Sequence, residues 1–445
     1  MPDAAAPAAP RADLIVTNAL IVTADAGFSV IPDGALAVRD GRIAAIGPAA
    51  EIGRDAAEVI DAGGAILMPG IVNTHCHAGD SLFRGLVEDL PLEPWLQTVW
   101  KAEKAILTRE TTRLGATLGL AELLLSGVTT AMDMFWFPEE TARAARDLGM
   151  RVATGGIFID FPGVDFVTMD DRIAAAKDFF AEFEGADDIL PTIMPHGTYT
   201  VGPDNLAAAK ALAEDHGALF CTHAAETVAE QADIANRYGR SVIRHLDHLG
   251  CLDERTVLAH CVWLDDEEIA ILARTGATVS HNPVSNLKLA SGIARVPDML
   301  DAGVRVTVGT DGAISGNDLD MWMALRLAAT LHRGATRRAD AVSTQAALAM
   351  VTREGAAALG ALDRIGSLEV GKFADMILID TGPVHAAPLF DPMTHIVFST
   401  AKSDVRDVFV SGRRVVRDGV LTAIDIGGTL ARVRALAPAI AASIA

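Results

Sequence analysis

Cysteine is scarce in this chain, and the four present (Cys76, Cys221, Cys251, Cys261) fit no C-x-x-C spacing. No thiol-based metal or redox motif is available, and in the expected cytoplasmic setting all four read as free, buried thiols. Long apolar runs are missing too. No segment approaches the roughly 20 residues that a bilayer span needs, and the Ala/Pro-rich opening (1–12) reads as a frayed tail, not a signal peptide. Positive charge is short: 37 basic residues against 58 acidic ones leave a net charge of −21. That balance disfavours nucleic acid and anionic membrane surfaces as partners. A small-molecule substrate and further copies of the chain, as a homo-oligomer, are the expected partners.

What is present is apolar: half of the 445 residues are hydrophobic and about a fifth are charged. That suffices for one large domain plus a smaller one. Residues 13–68 alternate short β-type runs with turns, including the Asp40-Gly41 hairpin signal. The same grammar returns near 374–416, where Ser411-Gly412 makes a second turn. One small β-sandwich built from 13–68 and 364–425 is expected, with an Ala-rich helix over 426–445.

Between these ends, over 69–363, strands alternate with helices. Eight strand-like runs fall at 71–77, 129–134, 151–157, 189–196, 218–223, 256–260, 277–281 and 305–311. Helical stretches separate them, among them 111–126, 138–148, 203–215, 264–274 and 317–332. Eight β/α units in succession predict an α/β fold, a closed (β/α)8 TIM-like barrel. The stretch 78–109 is too long for a plain connection and reads as a lid or binding loop.

Barrel chemistry sits at the carboxyl ends of the strands. Here those ends are His77, Asp133, Gly156, His196, His223, His260, His281 and Asp311. Five of the eight are histidine in a chain with only 12. The fulcrum is Pro69-Gly70-Ile71-Val72-Asn73-Thr74-His75-Cys76-His77, because alternate side chains of a strand share a face and both imidazoles point one way. His75, His77, His223 and Asp311 supply three imidazoles and a carboxylate, a donor set suited to Zn2+ or Fe2+. Such a cation lowers the pKa of bound water from 15.7 to about 7. Glu226, three residues past His223, is within reach to shuttle protons. His260 is placed to hydrogen-bond developing charge, and Asp311 to take a proton as well as bind metal. The fourth strand holds no lysine to bridge a second metal, so one ion per chain is expected.

With these residues assembled, the chain resembles the amidohydrolase superfamily. Within it, the likeness is to the mononuclear aminohydrolases that include methylthioadenosine/S-adenosylhomocysteine deaminases and s-triazine hydrolases. Its carriers are the Pro69–His77 stretch, Phe83-Arg84-Gly85, Asp89-Leu90-Pro91-Leu92, Trp95-Leu96 and His223-Ala224-Ala225-Glu226-Thr227. Ala259-His260-Cys261, the run from His281 to Leu289, and Gly309-Thr310-Asp311-Gly312 complete them. The resemblance implies a deaminase that releases ammonia, with Glu226 and His260 handling protons. It also implies that Glu103 holds ribose hydroxyls and that His196 contacts substrate. Arg172 matches an arginine that clamps a substrate carboxylate, and His281 and Trp100 join the substrate-binding set. The chain departs from the pattern at Gly156, where S-adenosylhomocysteine deaminases carry an arginine. That departure, with Phe158 and Phe161, favours an apolar 5′ substituent. Another amino- or halo-substituted azaheterocycle (triazine, pterin, purine base) is the alternative substrate, and a catalytically inactive binding barrel the remote one.

Overall fold

In the computed structural model, which describes residues 11–165 and 167–445, the middle of the chain curls into a parallel barrel. Its strands are Ile71–His77, Val128–Asp133, Arg151–Phe158, Ile189–Pro195, Leu219–Ala224, Thr256–His260, Thr278–His281 and a last one in two pieces. The pieces are Val306–Val308, paired with the seventh strand, and Asp311–Gly312, paired with the first. At the break, Gly309 has no room for a side chain, since a Cβ there would lie 2.4 Å from Asn282 Oδ1 and 2.8 Å from the His75 carbonyl. Asn73 fills the gap instead: its Nδ2 donates to Thr310 Oγ1 at 2.8 Å, and its Oδ1 accepts the Thr310 amide at 3.2 Å. The barrel therefore closes through a side chain as well as through strand pairing.

Both ends of the chain build the second layer, a nine-stranded mixed sheet. Ile66–Pro69 pairs with Met376–Ile379 and joins the early strands to the late ones. The Asp40-Gly41 and Ser411-Gly412 turns have both residues left-handed, the I′ geometry that suits a two-residue hairpin. One face of the sheet packs on itself (Leu14, Val16, Leu36, Leu67, Met376, Phe409), and the sheet curls so that the Ile43 amide bonds the Lys372 carbonyl. The opposite face (Ile66, Met68, Ile377, Ile379, Val408, Val410) joins the apolar core shared with the barrel helices. The expected sandwich is thus one continuous sheet, half self-packed and half laid on the barrel. Arg151, opening the third barrel strand, pins the layers together through Asp375 at 3.3 Å with both side chains buried.

Two expectations need correction. Residues 1–10 of the expected tail lie outside the described residues, but Ala12 already opens a strand, Ala12–Val22, paired with Ala56–Asp61. The long excursion is not a loop. It is a 3-10 turn, Ala78–Phe83, followed by a helix, Leu92–Ile106, that buries Leu92, Trp95, Val99, Ala102 and Glu103 on one face. Spacings of three and four make that face continuous on a helix. A final helix, Ile426–Ala442, packs Val433, Leu436 and Ile440 into the same cluster. No helix among the described residues is long and apolar enough to cross a membrane.

Candidate active site

The candidate residues reach one place because the strands end abruptly. Ala225, His260, Cys261 and Asp311 all have positive φ (53°, 77°, 46° and 62°), unusual for residues with a Cβ. Each such residue costs of order 1–3 kcal/mol and persists only where surroundings enforce it. Here they turn the fifth, sixth and eighth strands sharply at the barrel mouth. On the first strand, His75 and His77 face inward, while Cys76 is buried on the other side with Sγ 3.9 Å from Asp133 Oδ1.

His75, His77, His223 and Asp311 each present one ligand atom, all within 4.8 Å of one another. Asp311 Oδ1 lies 3.1 Å from His77 Nε2 and 3.5 Å from His75 Nε2, and Ser315 donates to its other oxygen at 2.9 Å. The Nδ1 atoms of His77 and His223 face the carbonyls of Met134 and His196, each at 2.5 Å. That fixes the tautomer and turns both Nε2 lone pairs inward, 3.4 Å apart. Neither ring nitrogen of the fully buried His75 has a hydrogen-bond partner among the described residues.

The electrostatics ask for one cation. Burial pushes His75 down to about 4 and His223 well below the ordinary range. Against burial, the Asp311 hydrogen bond and charge raise His77 to about 10, while, also against burial, the adjacent His75 and His77 rings hold Asp311 well below the carboxylate range. A proton on His77 supplies that charge but leaves two converging lone pairs unmet. A divalent cation meets all four donors at once, so the residues fit a metal.

Glu226 stands beside this group, 3% exposed, with its Oε2 3.7 Å from His260 Nε2. Burial raises its pKa. Ser291 donates to Glu226 Oε1 at 3.2 Å, and the Glu226 amide donates to Glu230 Oε2 at 2.8 Å. Glu230 in turn accepts from Thr198 at 2.9 Å, tying the fourth-strand loop to the fifth. Asn286 Oδ1 lies 2.8 Å from His260 Nδ1 and orients that ring.

A cavity opens from the cluster, walled by His77, Trp95, Trp100, Glu103, Trp136 and His196 among others. Glu103 comes from the Leu92–Ile106 helix and accepts the Trp136 indole N–H at 3.0 Å; burial lifts it to about 7. Trp100 packs against His196 and Phe161, with ring centroids 5.9 and 5.3 Å away. Two expected contacts are not brought there. Arg172 is buried in a two-pronged pair with Asp165 (2.6 and 2.8 Å) and lies over the Trp136 ring instead of lining the cavity. His281 faces His332, with Nε2 atoms 3.3 Å apart, and is pushed well below its ordinary pKa by burial. Phe158 is fully buried, which leaves Phe161 at the Trp100 edge. Asp80, Ser291 and Glu230 were missed. Asp80 carried a faint signal as an acid one short turn past His77; the other two carried none.

A model described as Amidohydrolase family matches residues 66–415. A 5-methylthioadenosine/S-adenosylhomocysteine deaminase of Syntrophobacter fumaroxidans is 38% identical over 429 residues, 96% of this chain and 98% of that protein. A 5′-deoxyadenosine deaminase of Methanosarcina mazei is 39% identical over 417 residues, 93% of this chain and 95% of that protein. The crystal structure of an adenosine deaminase from Xanthomonas campestris with bound zinc superimposes with a TM-score of 0.94 at 33% identity, covering 96% of this chain and 98% of that one.

Proposed function

Since the chain belongs to the amidohydrolase family, we propose that it hydrolytically deaminates an adenine nucleoside or thionucleoside, replacing the 6-amino group with oxygen and releasing ammonia. The observation that carries this reading is the group His75, His77, His223 and Asp311 opening onto a cavity that contains Glu103. Deaminase relatives that match nearly the whole chain support the same reaction. We read the ion as zinc, one per chain, with Fe2+ as the alternative; the zinc-bound neighbour supports that choice.

When bound, the cation supplies water made acidic enough to ionise near neutral pH. The chain's own groups do the rest. Glu226 keeps Oε1 on Ser291, which leaves Oε2 to collect the proton and deliver it to the departing nitrogen. His260, steadied by Asn286, turns Nε2 toward the charge that develops beside Glu226. Asp311 is held ionised by its histidine neighbours, which suits it to bind the cation and makes it a weak base beside Glu226. Glu103 has one oxygen on Trp136 and offers the other to the ribose hydroxyls. Water and the amino substrate thereby become ammonia and a ring carbonyl, with no net proton exchange.

With Gly156 in place of an arginine and Arg172 committed to Asp165, neither of those two positions offers a free guanidinium to an amino-acid carboxylate. Methylthioadenosine or adenosine should therefore outperform S-adenosylhomocysteine. Four free, buried thiols support a cytoplasmic setting, and the exposed Val384 and Phe390 support a homo-oligomer. Ammonia release measured across adenosine, methylthioadenosine, S-adenosylhomocysteine, adenine and s-triazines tests the reading. A triazine or free base turned over far faster than every nucleoside would overturn it.

A further inference from the structure

One buried acid of the cavity has no part in the chemistry described above. Asp80 belongs to the short turn Ala78–Phe83 that follows the first strand, and it is 3% exposed. Its Oδ1 accepts the Ala313 amide at 2.8 Å, two residues beyond Asp311. No protein donor among the described residues reaches Oδ2. The residue lines the cavity together with His77 and Glu103.

Room has been kept for that oxygen. A Cβ on Gly312 would fall 1.8 Å from it, although Gly312 has an ordinary φ of −78° that any residue adopts. The glycine is thus needed for space and not for backbone conformation. A structural anchor for Ala313 requires one carboxylate oxygen, so the second is surplus to the fold. Burial pushes this carboxyl well above the ordinary range, and a ligand that brings a donor offsets that cost by favouring the carboxylate.

The adenine ring narrows the choice of donor. Its ring nitrogens N1, N3 and N7 all accept; only the exocyclic amino group donates. The ribose hydroxyls fall to Glu103. Asp80 is tied to the strand end that carries Asp311, and it lines the cavity beside His77. We propose that Asp80 determines specificity, its free oxygen accepting a hydrogen bond from the amino group that the reaction removes. This assignment rests on the deaminase reading and deepens it: the site would select amino over halo or alkoxy leaving groups.

The test compares kcat/KM for adenosine, 6-chloropurine riboside and 6-methoxypurine riboside in the metal-loaded full chain, with bound metal quantified in each variant. Asp80→Ala should cost adenosine about 3- to 10-fold, the range expected for one hydrogen bond, while the two analogues change by less than about twofold. Asp80→Asn keeps the shape and can still accept from Ala313, but it turns an amide donor toward the cavity. It should narrow the preference further by favouring the methoxy oxygen, and it carries the test if the alanine variant does not fold. Equal losses on all three substrates at full metal content, or no loss on any, would overturn the assignment. Failure of the unmodified chain to release ammonia from any adenine nucleoside would overturn the deaminase reading, and this assignment with it.

Discussion

At the scale of single residues, the division of labour around Glu226 is open to direct test. Glu226→Gln keeps the size and the Ser291 contact but cannot carry a proton. It should retain metal while turnover falls on the order of 10² or more. Near-normal turnover would assign the proton to another group. Glu103 offers a pH test. Burial raises it from 4.5 to about 7, so the fold favours the neutral carboxyl. Its contribution to stability is complete below about 4.5 and disappears as pH rises through 7. A ribose diol works the opposite way, because two hydroxyl donors favour the carboxylate. The thermal shift given by a nucleoside should therefore grow between about pH 6 and 8, and stay flat in Glu103→Gln. A shift that is pH-independent in the unmodified chain would remove Glu103 from ribose binding. Residue identity alone revealed some of this and hid the rest. His75, His77 and His223 were legible because a strand's period of two assigns each a face. Arg172 and His281 misled because their partners, Asp165 and His332, lie on segments that local pattern does not connect to them.

At the scale of elements, the eighth strand is the informative one. Its apolar run was legible, but its division was not, since the gap is set by Asn73 reaching across from the first strand. Asn73→Ala would strand the buried Thr310 amide, at about 1–3 kcal/mol, while the Thr310 hydroxyl keeps its bond to the Asp311 carbonyl. Denaturant unfolding should register that loss, and metal affinity should fall with it because His75 and Asp311 flank the seam. An unchanged midpoint would mean that the strand pairing alone closes the barrel. The Leu92–Ile106 helix shows the reverse failure. Its buried positions were spaced for a helix all along, but prolines and acids at 88–94 break up the preceding stretch and made the whole excursion look like a loop.

At the scale of the molecule, metal and the two-layer fold set stability together. Elemental analysis should find about one ion per chain, and chelation should abolish activity and lower Tm by the ligand-linkage free energy. Two ions per chain, or full activity without any, would contradict the four-donor site. The layers are joined by Arg151 and Asp375, both buried. Asp375→Ala leaves a buried guanidinium without its counter-charge and should cost about 3–5 kcal/mol. Barrel and sheet should still melt in one transition, because the sheet's inner face belongs to the barrel's core. Two resolved transitions would show that the layers are independent.

That shared sheet has a consequence for how the protein is made. Ile66–Pro69 pairs with Met376–Ile379, so the strand emerges from the ribosome with its neighbour still untranslated. At 5–20 residues per second the wait is on the order of tens of seconds. Throughout it, a hydrophobic strand edge stands open, the kind of edge that recruits other nascent chains. Elongation speed and chaperone supply should thus govern soluble yield more than the stability of the finished fold does.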